Sequence, residues 1–104
     1  EIFIETKTAI YIGLLINELA TNSIKYGFSA DRSAEFRIDM RCDNDSGQCF
    51  LTISNNGVPF PVDVDLNNPN TLGLRLVTTL VNQLEGTIEV QREPFPVFAI
   101  QFPL

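Results

Sequence analysis

The stretch 35–42, EFRIDMRC, alternates strictly: Phe36, Ile38, Met40 and Cys42 fall on one side and Glu35, Arg37, Asp39 and Arg41 on the other. A period of two with one apolar and one charged side describes a strand that buries a single face. The run 43–48, DNDSGQ, is rich in turn formers, and 49–54 returns as a second strand, so the two form an antiparallel hairpin. Each element of such a fold has one apolar side to bury, so the rest of the chain has to supply a second layer.

Two segments carry a helical period. The first is predicted over 9–26, with Thr6 or Thr8 as its cap and Gly27 as its stop. The second is predicted over 71–84, with Val77, Leu80, Val81 and Leu84 at the spacing of one core face and Gly86 closing it. Residues 87–91 and 97–102 read as further strands around the turn 92–96, and 1–5 as a short strand with weak alternation. The order is then β-α-β-β-loop-α-β-β. It predicts an α+β, two-layer α/β sandwich, one domain over 1–104, in which a mixed or antiparallel sheet carries both helices on one face. The loop 55–70 contains Gly57, Pro59, Pro61 and Pro69 and no periodic pattern. Irregular segments of that length are usually lids or binding loops.

Within 9–26 the polar residues are not scattered. At about 100° per residue, Glu18, Asn22 and Lys25 lie within roughly 60° of one another, while Ala9, Ile12, Ile16, Leu19, Ala20 and Gly27 lie elsewhere on the wheel. A carboxylate and a carboxamide one turn apart can both offer oxygen to a hard cation, and an ammonium one turn further can meet a phosphate. The same residues also suit a helix face that is only solvated.

The balance of charge narrows the partners. A net charge of −6 with no cluster of Lys or Arg disfavours nucleic acid and anionic membrane surfaces. An acidic chain that handles a polyanion needs a divalent cation as intermediary, which suits the Glu18 and Asn22 pair. The sequence has no histidine, which excludes a Ser-His-Asp triad, a His-ligated zinc and a phosphohistidine formed on these residues. No apolar run reaches the ~18 residues of a membrane span, and no signal peptide is expected within these residues. Cys42 and Cys49 flank the hairpin turn and are expected to be reduced, half-buried residues. The chain opens at Glu1 without an initiator Met and reads as a piece of a longer protein.

Three segments in this order resemble a known family. The run NELATNSIKYGF at 17–28 is similar to the N box of the ATP-binding catalytic domains of sensor histidine kinases, in the subgroup with NELxTNxxKYxF boxes. These belong to the wider GHKL superfamily with the Bergerat fold, which includes type II topoisomerase and Hsp90 ATPase domains. NNGVPFP at 55–61 stands where the family has its first glycine box, and LGLRLV at 72–77 resembles the second.

The resemblance implies roles residue by residue. Asn22 would supply an oxygen to Mg²⁺ that bridges the phosphates of ATP, with Glu18 as the acidic, catalytic partner at the same metal. Lys25 would contact a phosphate, and Tyr26 would lie against the base or ribose unless it is a core aromatic. Gly73 would let the backbone approach the phosphates at a helix N-terminus, flanked by Leu72, Leu74 and Arg75. Leu72 and Leu74 also suit the core, and Arg75 also suits the surface. Asn55 and Gly57 would meet the base.

Two departures stand out. The family opens its first glycine box with an Asp that accepts from the adenine amino group, and here Asn55 loses that charge-assisted bond. The second glycine of that box is Pro59, which fixes φ and removes a donor. The implied activity is transfer of the ATP γ-phosphoryl to a histidine on a separate dimerisation domain, with a response regulator as a further partner and a cytoplasmic location. The parent protein could itself be membrane-anchored. A degenerate module that docks a response regulator without ATP turnover is the second reading, and a serine-phosphorylating anti-sigma-factor kinase the third.

Overall fold

The computed structural model describes residues 4–22, 35–57, 65–66 and 71–104. Helix α1 spans Thr6–Asn22, strands β1 and β2 span Phe36–Asp43 and Gln48–Asn55, helix α2 spans Leu72–Gln83, and strands β3 and β4 span Thr87–Gln91 and Val97–Pro103. The four strands form one sheet in the order β1-β2-β4-β3, and every neighbouring pair is antiparallel. Expected and observed elements agree for the hairpin, α2 and the last two strands to within a residue or two.

The register explains the single buried face. Ile38, Ile53, Phe98 and Val90 form one row across the sheet, and Met40, Leu51, Ile100 and Ile88 the next. Leu51, Ile53, Phe98 and Ile100 from these rows, and Phe102 beside Cys49 in the next, pack with Ile12, Leu15 and Leu19 of α1 and with Val77, Leu80, Val81 and Leu84 of α2. Both helices therefore cover the same side. The opposite side carries Asp39, Thr52, Ala99 and Glu89 in one row, and Arg41 lies over the Phe50 ring at 5.1 Å.

Several expectations are corrected. Ile4 and Glu5 are not in a strand, while 1–3 lie outside the described residues. α1 begins at Thr6 rather than residue 9: the Ala9 N–H donates to the Glu5 carbonyl at 3.0 Å, so Glu5 occupies the capping position and both threonines lie inside the helix. Its expected continuation to Tyr26 and Gly27 falls outside the described residues. Ile38 sits on the apolar side of β1 yet is 46% exposed, because β1 is an edge strand.

The two cysteines are not reduced. Cys42 and Cys49 face each other directly in the β1–β2 ladder and form a disulfide. The end of α2 also differs from expectation. Glu85, not Gly86, takes the left-handed conformation (φ 58°), its N–H donating to the Asn82 carbonyl and that of Gly86 to Val81. This is a Schellman closure with a non-glycine residue at its left-handed position. Gly86 is needed for another reason: a Cβ there would overlap the Gln101 carbonyl oxygen of β4 and lie 3.0 Å from the Phe102 Cβ.

Candidate functional site

α1 and α2 pack side by side, and the contact near the start of α2 is made by polar groups. A Cβ placed on Gly73 would lie 3.4 Å from Glu18 Oε2, 3.5 Å from its Cδ and 3.6 Å from Asn22 Oδ1. The carboxylate and the carboxamide oxygen, one helical turn apart on α1, thus converge on one point at the first turn of α2. Both side chains are half-buried, as Gly73 is. The polar line read from the sequence is therefore aimed at the neighbouring helix for two of its members. Lys25 and Tyr26 lie outside the described residues.

The first turn of α2 is set by Thr71. Its backbone is extended (φ −119°, ψ 153°) and its Oγ1 accepts from the Leu74 N–H at 3.2 Å. The Arg75 N–H donates to the Thr71 carbonyl at 3.0 Å. In a helix that begins this way the N–H groups of Leu72 and Gly73 have no carbonyl one turn back to bind, and they carry the positive end of the helix dipole. Such a terminus next to a lone glycine suits the oxygens of a phosphate.

The remaining residues of the second glycine-containing motif separate. Leu74 is buried in the core at 7% exposure, with its N–H already engaged by Thr71, whereas Leu72 is 85% exposed. Arg75 is exposed, and its carbonyl accepts from the Thr78 hydroxyl.

Asn55 ends β2 on the side of the sheet that the helices cover, in line with Leu51 and Ile53. Among the described residues it is the one buried polar side chain, 7% exposed. Its Oδ1 accepts from the Gly57 N–H at 2.8 Å, and its own N–H donates to the Pro96 carbonyl at 3.3 Å. Asn56 then brackets the start of β1: its Oδ1 accepts from the Glu35 N–H at 2.9 Å and its N–H donates to the Glu35 carbonyl at 3.2 Å. Asn55 and Gly57 are thus held from two sides before the loop begins.

Two positioning residues escaped the sequence reading. Thr71 carried a signal, since a Thr directly before an apolar helical run is a strong capping residue. Asn56 carried none, because its partner Glu35 lies 21 residues away.

Glu18 and Asn22 offer hard oxygen donors, the chemistry Mg²⁺ selects, and Mg²⁺ typically takes only one or two protein ligands beside phosphate and water. The residues present fit such an ion. Among the described residues there is no cluster of three or more His, Cys, Asp or Glu that would hold a metal without a ligand's help. No helix of the described residues is long and apolar enough to cross a membrane.

Residues 8–104 match the family described as histidine kinase-, DNA gyrase B-, and HSP90-like ATPase. Over 90 residues the chain is 36% identical to blue-light-activated histidine kinase 2 of Erythrobacter litoralis (strain HTCC2594), covering 86% of this chain and 25% of that protein. It therefore spans about a quarter of the length of that curated relative. Among solved structures, the histidine kinase domain of the Erythrobacter litoralis EL346 blue-light activated histidine kinase aligns with a TM-score of 0.85 at 31% identity, over 97% of this chain and 46% of that one. The Acinetobacter baumannii histidine kinase AdeS aligns with a TM-score of 0.71 at 23% identity, over 89% of this chain and 45% of that one, a likeness of fold.

Proposed function

The chain belongs to the family of histidine kinase-, DNA gyrase B- and HSP90-like ATPases, and on that premise we propose that it is the ATP-binding catalytic domain of a two-component sensor histidine kinase. The observation that carries the reading is the convergence of Glu18 and Asn22 oxygens beside Gly73 at the N-terminus of α2. Mg²⁺ bound with the nucleotide would supply charge neutralisation between the phosphates. Asn22 Oδ1 would hold it directly. Glu18 would orient or deprotonate a water beside it, and the Leu72 and Gly73 N–H groups would receive phosphate oxygens. Lys25 and Arg75 would add positive charge along the phosphates, and Asn55, Gly57 and Tyr26 would bound the base.

Catalysis in such a site is positioning and charge stabilisation rather than covalent chemistry on the domain. The γ-phosphoryl would pass to a histidine on a separate dimerisation domain of the parent protein, since this sequence has no histidine to receive it. A response regulator would then take it. We place the domain in the cytoplasm, with no membrane or nucleic-acid contact of its own.

One observation favours a second reading. Asn55 Oδ1 is spent on Gly57, which is also what a simple turn closing β2 would do. That suits a docking module without nucleotide turnover. Titration of the chain with ATP, with and without Mg²⁺, separates the two. Mg²⁺-dependent binding that Asn22→Ala weakens tenfold or more supports the kinase reading. Absence of binding at millimolar ATP, or Asn22→Ala binding like the parent chain, sinks it.

A further inference from the structure

β1 is an edge of the sheet: among the described residues its one strand neighbour is β2. The ladder with β2 runs from Phe36 to Asp43 without a bulge, and β1 contains no proline. An edge strand of that kind keeps a straight row of N–H and C=O groups open to another chain. The ladder also says which residues own them. The Asn56 N–H donates to the Glu35 carbonyl, so Glu35 bonds toward β2. Cys42 and Cys49 stand 4.0 Å apart at Cα, the close spacing of a pair that exchanges no ladder bonds. Odd-numbered residues of β1 therefore bond to β2, and Ile38, Met40 and Cys42 turn their backbone groups outward.

The exposed side chains on the other face of β1 are Arg37, Asp39, Arg41 and Asp43, which alternate in sign. Read in reverse about Met40, the same row carries the opposite signs. We infer that β1 pairs antiparallel with β1 of a second copy of this chain, with Met40 opposite the partner's Met40. Arg37 then faces the partner's Asp43 and Asp39 the partner's Arg41, and the two-fold axis repeats both pairs. On the helix-covered side Ile38 faces the partner's Cys42, which covers a side chain that is 46% exposed in the single chain. Ile38, Met40 and Cys42 all meet residues whose backbone groups are turned outward, so each pair exchanges both bonds. A slip of two residues sets Asp39 against the partner's Asp39, or Arg41 against the partner's Arg41. A slip of four restores the signs but carries the pairing off the end of β1. Charge thus selects one register. The pairing uses none of the residues placed at the nucleotide site, so it is independent of that reading.

A contact made by one strand from each copy is small, so the dimer should be weak and concentration-dependent. Sedimentation equilibrium is measured on the unaltered chain, on Asp39→Arg, on Arg41→Asp and on an equimolar mixture of the two variants. The unaltered chain is expected to form a reversible dimer. Each variant alone sets two like-charged pairs across the contact, and its dissociation constant should rise about tenfold. In the mixture opposite charges face each other at both positions, so the mixed dimer should regain the affinity of the unaltered chain. That recovery also shows that both variants are folded. An unaltered chain that stays monomeric up to millimolar concentration overturns the inference. A dimer that neither variant weakens, or a mixture no tighter than its separate variants, overturns the assignment to β1.

Discussion

Replacing Gly73 with alanine separates the two reasons a glycine could stand there. Gly73 has no conformational need: among the described glycines only Gly47 has a positive φ, of 69°. It has no tight packing either, since its Cβ would meet its nearest neighbour, Glu18 Oε2, at the ordinary contact distance of 3.4 Å. Alanine in place of glycine within a helix gains roughly 0.5–1 kcal/mol by restricting the unfolded chain. A methyl group beside the Glu18 carboxylate takes back a part of that through lost hydration, which leaves a gain of about 0.5 kcal/mol. For a chain of 104 residues the thermal midpoint should rise by about 2–4 °C. The same methyl would sit where the Glu18 and Asn22 oxygens converge, beside the N–H groups a phosphate needs. Nucleotide affinity should therefore fall by about tenfold or more, the loss of at least one charge-assisted bond. Thermal unfolding followed by circular dichroism and an ATP–Mg²⁺ titration read the two effects on one sample. A midpoint that drops by several degrees would show that Gly73 is there for packing, and unchanged affinity would refute the placement of phosphate at this turn.

At the other end of α2, Glu85→Gly should stabilise the chain by about 1 kcal/mol, because it relieves a left-handed residue that carries a Cβ. Gly86→Ala should destabilise it by about 1–3 kcal/mol through overlap with β4. Denaturant titration gives both signs, and the opposite pair would mean the left-handed position is Gly86 after all. Reducing the Cys42–Cys49 disulfide with a dithiol should cost about 2.5 kcal/mol for a loop of this length. A thermal midpoint unaffected by reductant would remove the disulfide from the account of stability.

The functional reading was accessible early because its residues lie close in sequence. Glu18 and Asn22 are one turn apart on one helix, so helical geometry alone places them together. Gly73 lies more than fifty residues further along, and nothing local says that it faces them. Their meeting follows from α1 and α2 packing on the same side of the sheet. Leu72 and Leu74 show the same limit. Both are apolar residues in a short motif, yet the first turn of α2 leaves one 85% exposed and sends the other into the core. Asn55 could be flagged by its type, but its burial on the helix-covered side of the sheet and its bond from the Gly57 N–H are set by the tertiary structure.

The sequence by itself determined the period of each element, the single apolar side of the hairpin and the line of oxygen-bearing residues on α1, since all of these arise from neighbours a few positions apart. The tertiary structure decided the register that joins Cys42 to Cys49, the close approach of β4 that requires Gly86 and the helix pairing that brings Gly73 to Glu18 and Asn22. Those depend on contacts between segments far apart in the chain, where packing rather than local propensity sets the distance.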